Sequence, residues 1–60
     1  MRAKRNHQII TILDFASGVV HIGQIHNNVD VHDYIKSNKF NEDEVTFMLT
    51  DSLTIELENL

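Results

Sequence analysis

Residues 8–25 of this chain have the sequence QIITILDFASGVVHIGQI. Apolar and β-branched side chains fill both halves of the stretch, and Ala16–Gly18 separates the halves. Gly18 can adopt the left-handed conformation that closes a three-residue hairpin loop with a bulge. We therefore predict an antiparallel hairpin of two strands, Gln8–Phe15 and Val19–Ile25.

The three-residue loop also sets the predicted register, in which Phe15 pairs with Val19. One face of the hairpin then carries Ile9, Leu13, Phe15, Val19 and Ile25. The opposite face carries Ile10, Ile12, Val20 and Ile22. One short helix can cover only one of these faces, so we predict that the set Ile10, Ile12, Val20 and Ile22 forms an interface with another subunit. The alternative is a monomer in which a second hairpin packs across the remaining face.

A short helix is predicted after the hairpin. Asp30 is a candidate N-cap, and it precedes an apolar stripe at helical spacing. The stripe consists of Val31, Tyr34 and Ile35. Asn38 is the predicted left-handed residue that ends the helix, with Phe40 folding back as the hydrophobic contact.

Residues 41–60 favour two more strands. Apolar residues alternate with polar ones at Val45, Phe47 and Leu49, and again at Leu53, Ile55 and Leu57. A three-residue loop, Thr50–Ser52, would bring all six side chains to one face. The alternative is a helix that begins at Asn41 with Glu44 as its capping partner, which the threonines and valine of this segment disfavour.

The predicted fold is therefore α+β, a small antiparallel sheet of two hairpins with one short helix between them, in the order ββαββ. Residues 7–60 would form this single domain. Residues 1–6 would form a flexible basic N-terminal tail. The layout of residues 8–58 resembles that of short uncharacterised bacterial proteins, a resemblance that implies no activity and identifies no site residues.

Composition restricts the classes of partner. The net charge is −4, and after residue 6 only Lys36 and Lys39 oppose nine acidic residues. Nucleic-acid affinity depends on lysine and arginine, so we predict no nucleic-acid partner. No apolar run approaches the roughly 18 residues of a membrane span, and we predict a cytoplasmic protein without membrane contact.

Sixty residues can bury only a small core, and the chain contains no cysteine for disulfides or thiolate metal sites. A chain of this size needs another source of stability, and we predict that a partner subunit supplies it, most simply in a homodimer.

Candidate catalytic and metal-binding residues are few. The set His26, Asp30, His32 and Asp33 could supply nitrogen and oxygen ligands, but its spacing matches no known metal geometry. The serines fall at predicted turns, and the acidic run Glu42–Glu44 is typical of a solvated loop. We predict no catalytic, metal or cofactor residues, and a protein that is not an enzyme.

Two functions remain. The first is a small protein-interaction module that self-associates or binds another, unidentified protein. The second is a small acidic inhibitor or nucleic-acid mimic, whose carboxylates would imitate phosphates.

Overall fold

The computed structural model describes residues 1–59, which contain a three-stranded antiparallel sheet, one α-helix and one 3-10 turn. The elements in chain order are β1 (His7–Asp14), β2 (Val19–His26), α1 (Val31–Ser37), the 3-10 turn (Glu42–Glu44) and β3 (Val45–Thr50). β1 lies in the centre of the sheet, between β2 and β3. The α+β class is confirmed at this level. The predicted domain extends to residue 60, and Leu60 lies outside the described residues.

The first hairpin forms, but the predicted register is wrong by one residue. Asp14 pairs with Val19, so the loop has four residues, Phe15–Gly18. The Asp14 carboxylate accepts a hydrogen bond from the Ala16 N–H at 3.0 Å, and Gly18 takes the expected left-handed conformation, with φ +73°. This aspartate cap holds the longer loop. Because side chains alternate, the shift moves each β2 side chain to the opposite face from the predicted one.

The core lies between α1 and one face of the sheet. Its buried members are Ile10 and Ile12 of β1, Ile25 of β2 and Ile35 of α1. Partly buried side chains surround them: Val31, Tyr34, Phe40, Val45 and Leu49. The predicted apolar stripe of the helix is thus confirmed. Val45 and Leu49 of β3 pack against the core as predicted, whereas Phe47 is 40% exposed.

Both ends of α1 are capped. The Asp30 side chain accepts a hydrogen bond from the His32 N–H at 2.8 Å, which confirms the predicted N-cap. At the other end, the left-handed residue is Lys39, with φ 65°, rather than Asn38, with φ −91°.

The shift of the helix end to Lys39 has a local cause. The Asn38 side chain donates to the Tyr34 carbonyl at 2.8 Å, which holds Asn38 close to the helical conformation. The Phe40 N–H then donates to the Ile35 carbonyl at 3.1 Å, and Phe40 folds back onto the core as predicted.

The strand prediction for residues 45–50 is confirmed, and the alternative helix is reduced to one 3-10 turn. The Asn41 side chain caps this turn by accepting from the Asp43 N–H at 3.0 Å. The chain then extends as β3, which pairs with β1 so that Leu49 lies opposite Ile10.

The predicted fourth strand, Leu53–Leu57, is absent from the described residues, and the ββαββ layout is not confirmed. The chain does not reverse at Thr50–Ser52. Instead, Ser52 forms an isolated bridge with Arg2, and the Leu53 N–H donates to the Met1 carbonyl at 2.9 Å. The N-terminal residues therefore pair with residues 51–53, where the chain was expected to turn back along β3.

The N-terminal segment also contacts the sheet. The Lys4 N–H donates to the Gln24 side-chain carbonyl at 3.1 Å, and Gln24 lies opposite Ile9 on the face away from α1. Ile9 is fully buried there. The predicted flexibility of residues 1–6 stays a prediction, which deletion of the segment would test.

Candidate interaction surface

The sheet has a second face, which α1 does not cover. Cross-strand pairing places Leu13 beside Val20, and Thr11 between Ile22 and Met48. We call the surface formed by these five residues the open face. Val20 is 60% exposed, Met48 47% and Leu13 37%. Neighbouring apolar side chains at the surface are typical of a binding site, whereas single scattered ones are not.

The dimensions of the chain agree with one uncovered sheet face. The Cα atoms extend over 35 × 25 × 12 Å, and the shortest dimension corresponds to one sheet layer and one helix layer. On the same side of the sheet, Ile9 is fully buried at the end where Lys4 bonds to the Gln24 side chain. The open face is therefore the half nearer the Phe15–Gly18 loop.

The structure divides the four predicted interface residues between the two sides of the sheet. Ile10 and Ile12 are fully buried beneath α1, whereas Val20 and Ile22 belong to the open face. The one-residue register shift is the cause, because it exchanges the faces of β2 relative to β1. Leu13 and Met48, which the prediction did not include, take the places of the two buried isoleucines.

Within the described part of the chain, both outer strands of the sheet have a free edge. In sequence, β2 is VVHIGQIH and β3 is VTFMLT, and neither contains lysine, arginine, aspartate, glutamate or proline. Edge strands of soluble proteins usually carry charged residues or proline, which prevent pairing with other chains. The two edges thus lack the usual protection, and they border the open face on both sides.

The covered face holds one polar cluster. The Tyr34 hydroxyl lies 2.9 Å from His21 Nε2, and the His21 ring packs edge-on against Phe40 with centroids 5.5 Å apart. Burial raises the pKa of Tyr34 above its ordinary value of 10.0, because desolvation disfavours the phenolate. Sequence reasoning missed this cluster, although the isolated Gly23 within a strand is typical of close approach by another group.

The remaining histidines do not converge on a metal site. His7 and His26 are cross-strand neighbours with ring centroids 5.0 Å apart, and His32 Nδ1 lies 3.5 Å from Glu42 Oε1. Asp30, a candidate ligand by sequence, caps α1 instead. Within residues 1–59 no three histidine, cysteine or carboxylate side chains are placed to share a metal ion.

Acidic residues lie at both ends of the sheet and on α1, whereas three of the basic residues cluster at one end. Arg2, Lys4 and Arg5 precede β1, at the end where β2 finishes. Asp14 ends β1 at the opposite end, beside the Glu42–Glu44 turn that precedes β3. The carboxylates therefore do not form the single row that a phosphate mimic requires.

Comparison with known proteins identifies no relative, since no family model, curated protein or solved structure matches this chain. No helix in residues 1–59 is both long and apolar enough to cross a membrane.

Proposed function

We propose that this chain is a small, non-enzymatic protein-interaction module that associates with itself, in its simplest form as a homodimer. The open face carries this proposal. Three of its apolar side chains, Leu13, Val20 and Met48, are exposed in the single chain and lie on adjacent strands. Burying such a patch against a second copy would remove apolar surface from water, at about 25 cal/mol per Å².

The size of the core supports the same proposal. The buried cluster contains four isoleucines, Ile10, Ile12, Ile25 and Ile35, and among residues 1–59 only Ile9 and Thr11 are buried in addition. Domains of about 60 residues are marginally stable alone and commonly gain stability by association. A second copy would supply apolar contacts that the small core of one chain lacks.

The acidic inhibitor or nucleic-acid mimic has less support. Its carboxylates would have to form a row with phosphate-like spacing, whereas the acids lie on the 3-10 turn, on α1 and beyond β3. Glu42 also has Lys36 Nζ at 3.8 Å, which partly offsets its charge. Cytoplasmic location belongs to the proposed function and is tested by fractionation of the cells that produce the protein.

The fourth strand also stays a proposal. Leu53, Ile55 and Leu57 alternate with polar residues, and Ile55 and Leu57 are strongly exposed. A strand at this position would become ordered against another chain, which would complete the ββαββ layout. Amide exchange that slows at Ile55 and Leu57 on association would support it.

A matched pair of charge substitutions tests the proposed function. Val20→Glu places a carboxylate in the open face at a site that contributes little to the monomer core. Val29→Glu makes the same change in the loop before α1, where Val29 is 45% exposed. In sedimentation velocity, we expect Val20→Glu to stay folded and to associate much more weakly than the wild type, and Val29→Glu to associate like the wild type. Equal association of both variants would contradict the proposal.

A further inference from the structure

The backbone of β2 shows which of its groups lack a partner. The Asn27 N–H donates to the Asn6 carbonyl at 3.0 Å, in continuation of the ladder between β1 and β2. Backbone groups alternate in direction along a strand, so those of His21, Gly23 and Ile25 also point toward β1. The backbone N–H and C=O groups of the intervening residues point outward and have no hydrogen-bond partner within the described chain. These residues are Val20, Ile22 and Gln24.

The two free edges differ in the charges at their ends. Glu44 precedes β3 and Asp51 follows it, so antiparallel pairing of β3 with its own copy would oppose two acids at each end. β2 has Asp14 near its start, whereas Lys4 lies near its end through the hydrogen bond to Gln24. Antiparallel pairing of two β2 strands therefore brings the acidic end of one copy to the basic end of the other.

The register of such a pair is restricted. Residues directly opposite each other share a face of the sheet, so residues of the open face must oppose one another. A two-fold axis at Ile22 places Ile22 opposite its copy and Val20 opposite Gln24, which satisfies all three outward residues. An axis at Gly23 would need the His26 carbonyl, which already accepts from the Val29 N–H at 2.9 Å.

We infer that two copies of this chain pair antiparallel through the outer edges of β2, about a two-fold axis at Ile22, and form one six-stranded sheet. This inference rests on the proposed self-association and specifies its geometry. The pair forms about six new backbone hydrogen bonds. It also brings Val20 and Ile22 of one open face beside Gln24 and Ile22 of the other copy, whereas Leu13 and Met48 stay on the uncovered surface of the joined sheet.

Association through a closed two-fold contact limits the size of the assembly. Pairing of a β2 edge with a β3 edge would leave one free edge at each end and continue into filaments. Pairing of β2 with itself uses the same strand in both copies and ends at the dimer. The acids that flank β3 oppose further growth through that edge.

Amide hydrogen exchange of the wild type, followed by NMR at protein concentrations below and above the association midpoint, tests this geometry. We expect exchange at Ile22 and Gln24 to slow on association. Exchange at the inward-pointing Gly23 and Ile25 should change much less, as should that at Phe47 on the outer edge of β3. No concentration dependence of mass or exchange would refute self-association altogether. Association with slower exchange at Phe47, or with unchanged exchange at Ile22 and Gln24, would overturn the β2 pairing alone.

A proline substitution provides a second test. Gln24→Pro and Gln24→Ala both remove the side-chain amide, but only proline removes the outward N–H. We expect Gln24→Pro to raise the dimer dissociation constant by more than about tenfold relative to Gln24→Ala, since each dimer loses two backbone hydrogen bonds. Equal dissociation constants in two folded variants would overturn the inference. If Gln24→Pro does not fold, the exchange pattern of the wild type decides.

Discussion

The Tyr34 hydroxyl occupies the space into which a side chain at position 23 would project. A Cβ added to Gly23 would lie 2.5 Å from the hydroxyl oxygen and 3.2 Å from His21 Nε2. The absence of a side chain at this position lets the helix approach the sheet closely enough for Tyr34 to reach His21. Gly23 thus has a packing role in the middle of a strand, where glycine is otherwise unfavourable.

Gly23→Ala should therefore destabilise the fold. Overpacking typically lowers the free energy of unfolding by about 1–3 kcal/mol, whereas the lower flexibility of alanine in the unfolded chain raises it by about 0.4–1 kcal/mol. We expect a net loss of about 1 kcal/mol in the free energy of unfolding, measured by urea denaturation at fixed protein concentration.

The Tyr34→Phe background provides the control for that substitution. Without the hydroxyl, the nearest atom of the residue-34 ring, Cζ, lies at an ordinary 3.7 Å from the added Cβ, and only His21 Nε2, at 3.2 Å, lies closer. We expect Gly23→Ala to cost much less in Tyr34→Phe than in the wild type, which is a coupling between the two sites. The same loss in both backgrounds would show that the hydroxyl is not the obstacle.

The raised pKa of Tyr34 predicts a stability decrease in alkaline solution. Above about pH 10 the phenol ionises in the unfolded chain while it stays protonated in the folded one, so the folded state binds more protons and stability falls as pH rises. Its contribution is fully present below that pH. Tyr34 is the only tyrosine. Between about pH 9 and 11, the free energy of unfolding should decrease less steeply in Tyr34→Phe than in the wild type. The lysines titrate alike in both proteins, so the difference between the two reports Tyr34. Parallel curves would contradict this assignment.

A buried hydroxyl predicts a stabilising substitution. Thr11 Oγ1 is buried at the centre of the sheet and has no hydrogen-bond partner among residues 1–59. Thr11→Val replaces that hydroxyl by a methyl group and should raise the free energy of unfolding by about 1 kcal/mol. Thr11→Ser, which keeps the hydroxyl and loses the methyl group, should lower it. If thermal denaturation shows that Thr11→Val is the least stable of the three proteins, this reasoning is wrong.

Deletion of residues 1–4 tests the role of the N-terminal segment. The deletion removes the hydrogen bonds of Met1 and Ala3 to the chain after β3 and that of Lys4 to Gln24. We expect the melting temperature to fall by several degrees, since about 1 kcal/mol shifts it by about 4–8 °C in a domain of this size. An unchanged melting temperature would instead support the flexible tail that the sequence predicts.

Much of the architecture could be predicted from local patterns. The alternation around Val45–Thr50, the Asp30 cap and the stripe ending at Ile35 each depend on a few neighbouring residues, and all three are confirmed. The hairpin register was harder to predict, because loops of three and four residues both accept a left-handed Gly18. The choice depends on the Asp14 side chain, which caps the longer loop.

That one-residue difference also decided which of the predicted interface residues lie on the open face. Val20 and Ile22 lie there, whereas Ile10 and Ile12 are buried beneath α1 and Leu13 and Met48 lie in their place. The missing fourth strand has a different cause. Its pattern is that of a strand, but the choice of partner depends on contacts distant in sequence, here between Met1 and Leu53. Periodicity within one segment contains no information about such contacts.

Sedimentation equilibrium of the unmodified protein tests self-association most directly. At tens of micromolar, we predict a folded species of about twice the 6.9 kDa chain mass, with dissociation on dilution. Circular dichroism of the same samples confirms that the species is folded. A folded protein that stays at 6.9 kDa throughout this range would contradict self-association through the open face and the β2 edge.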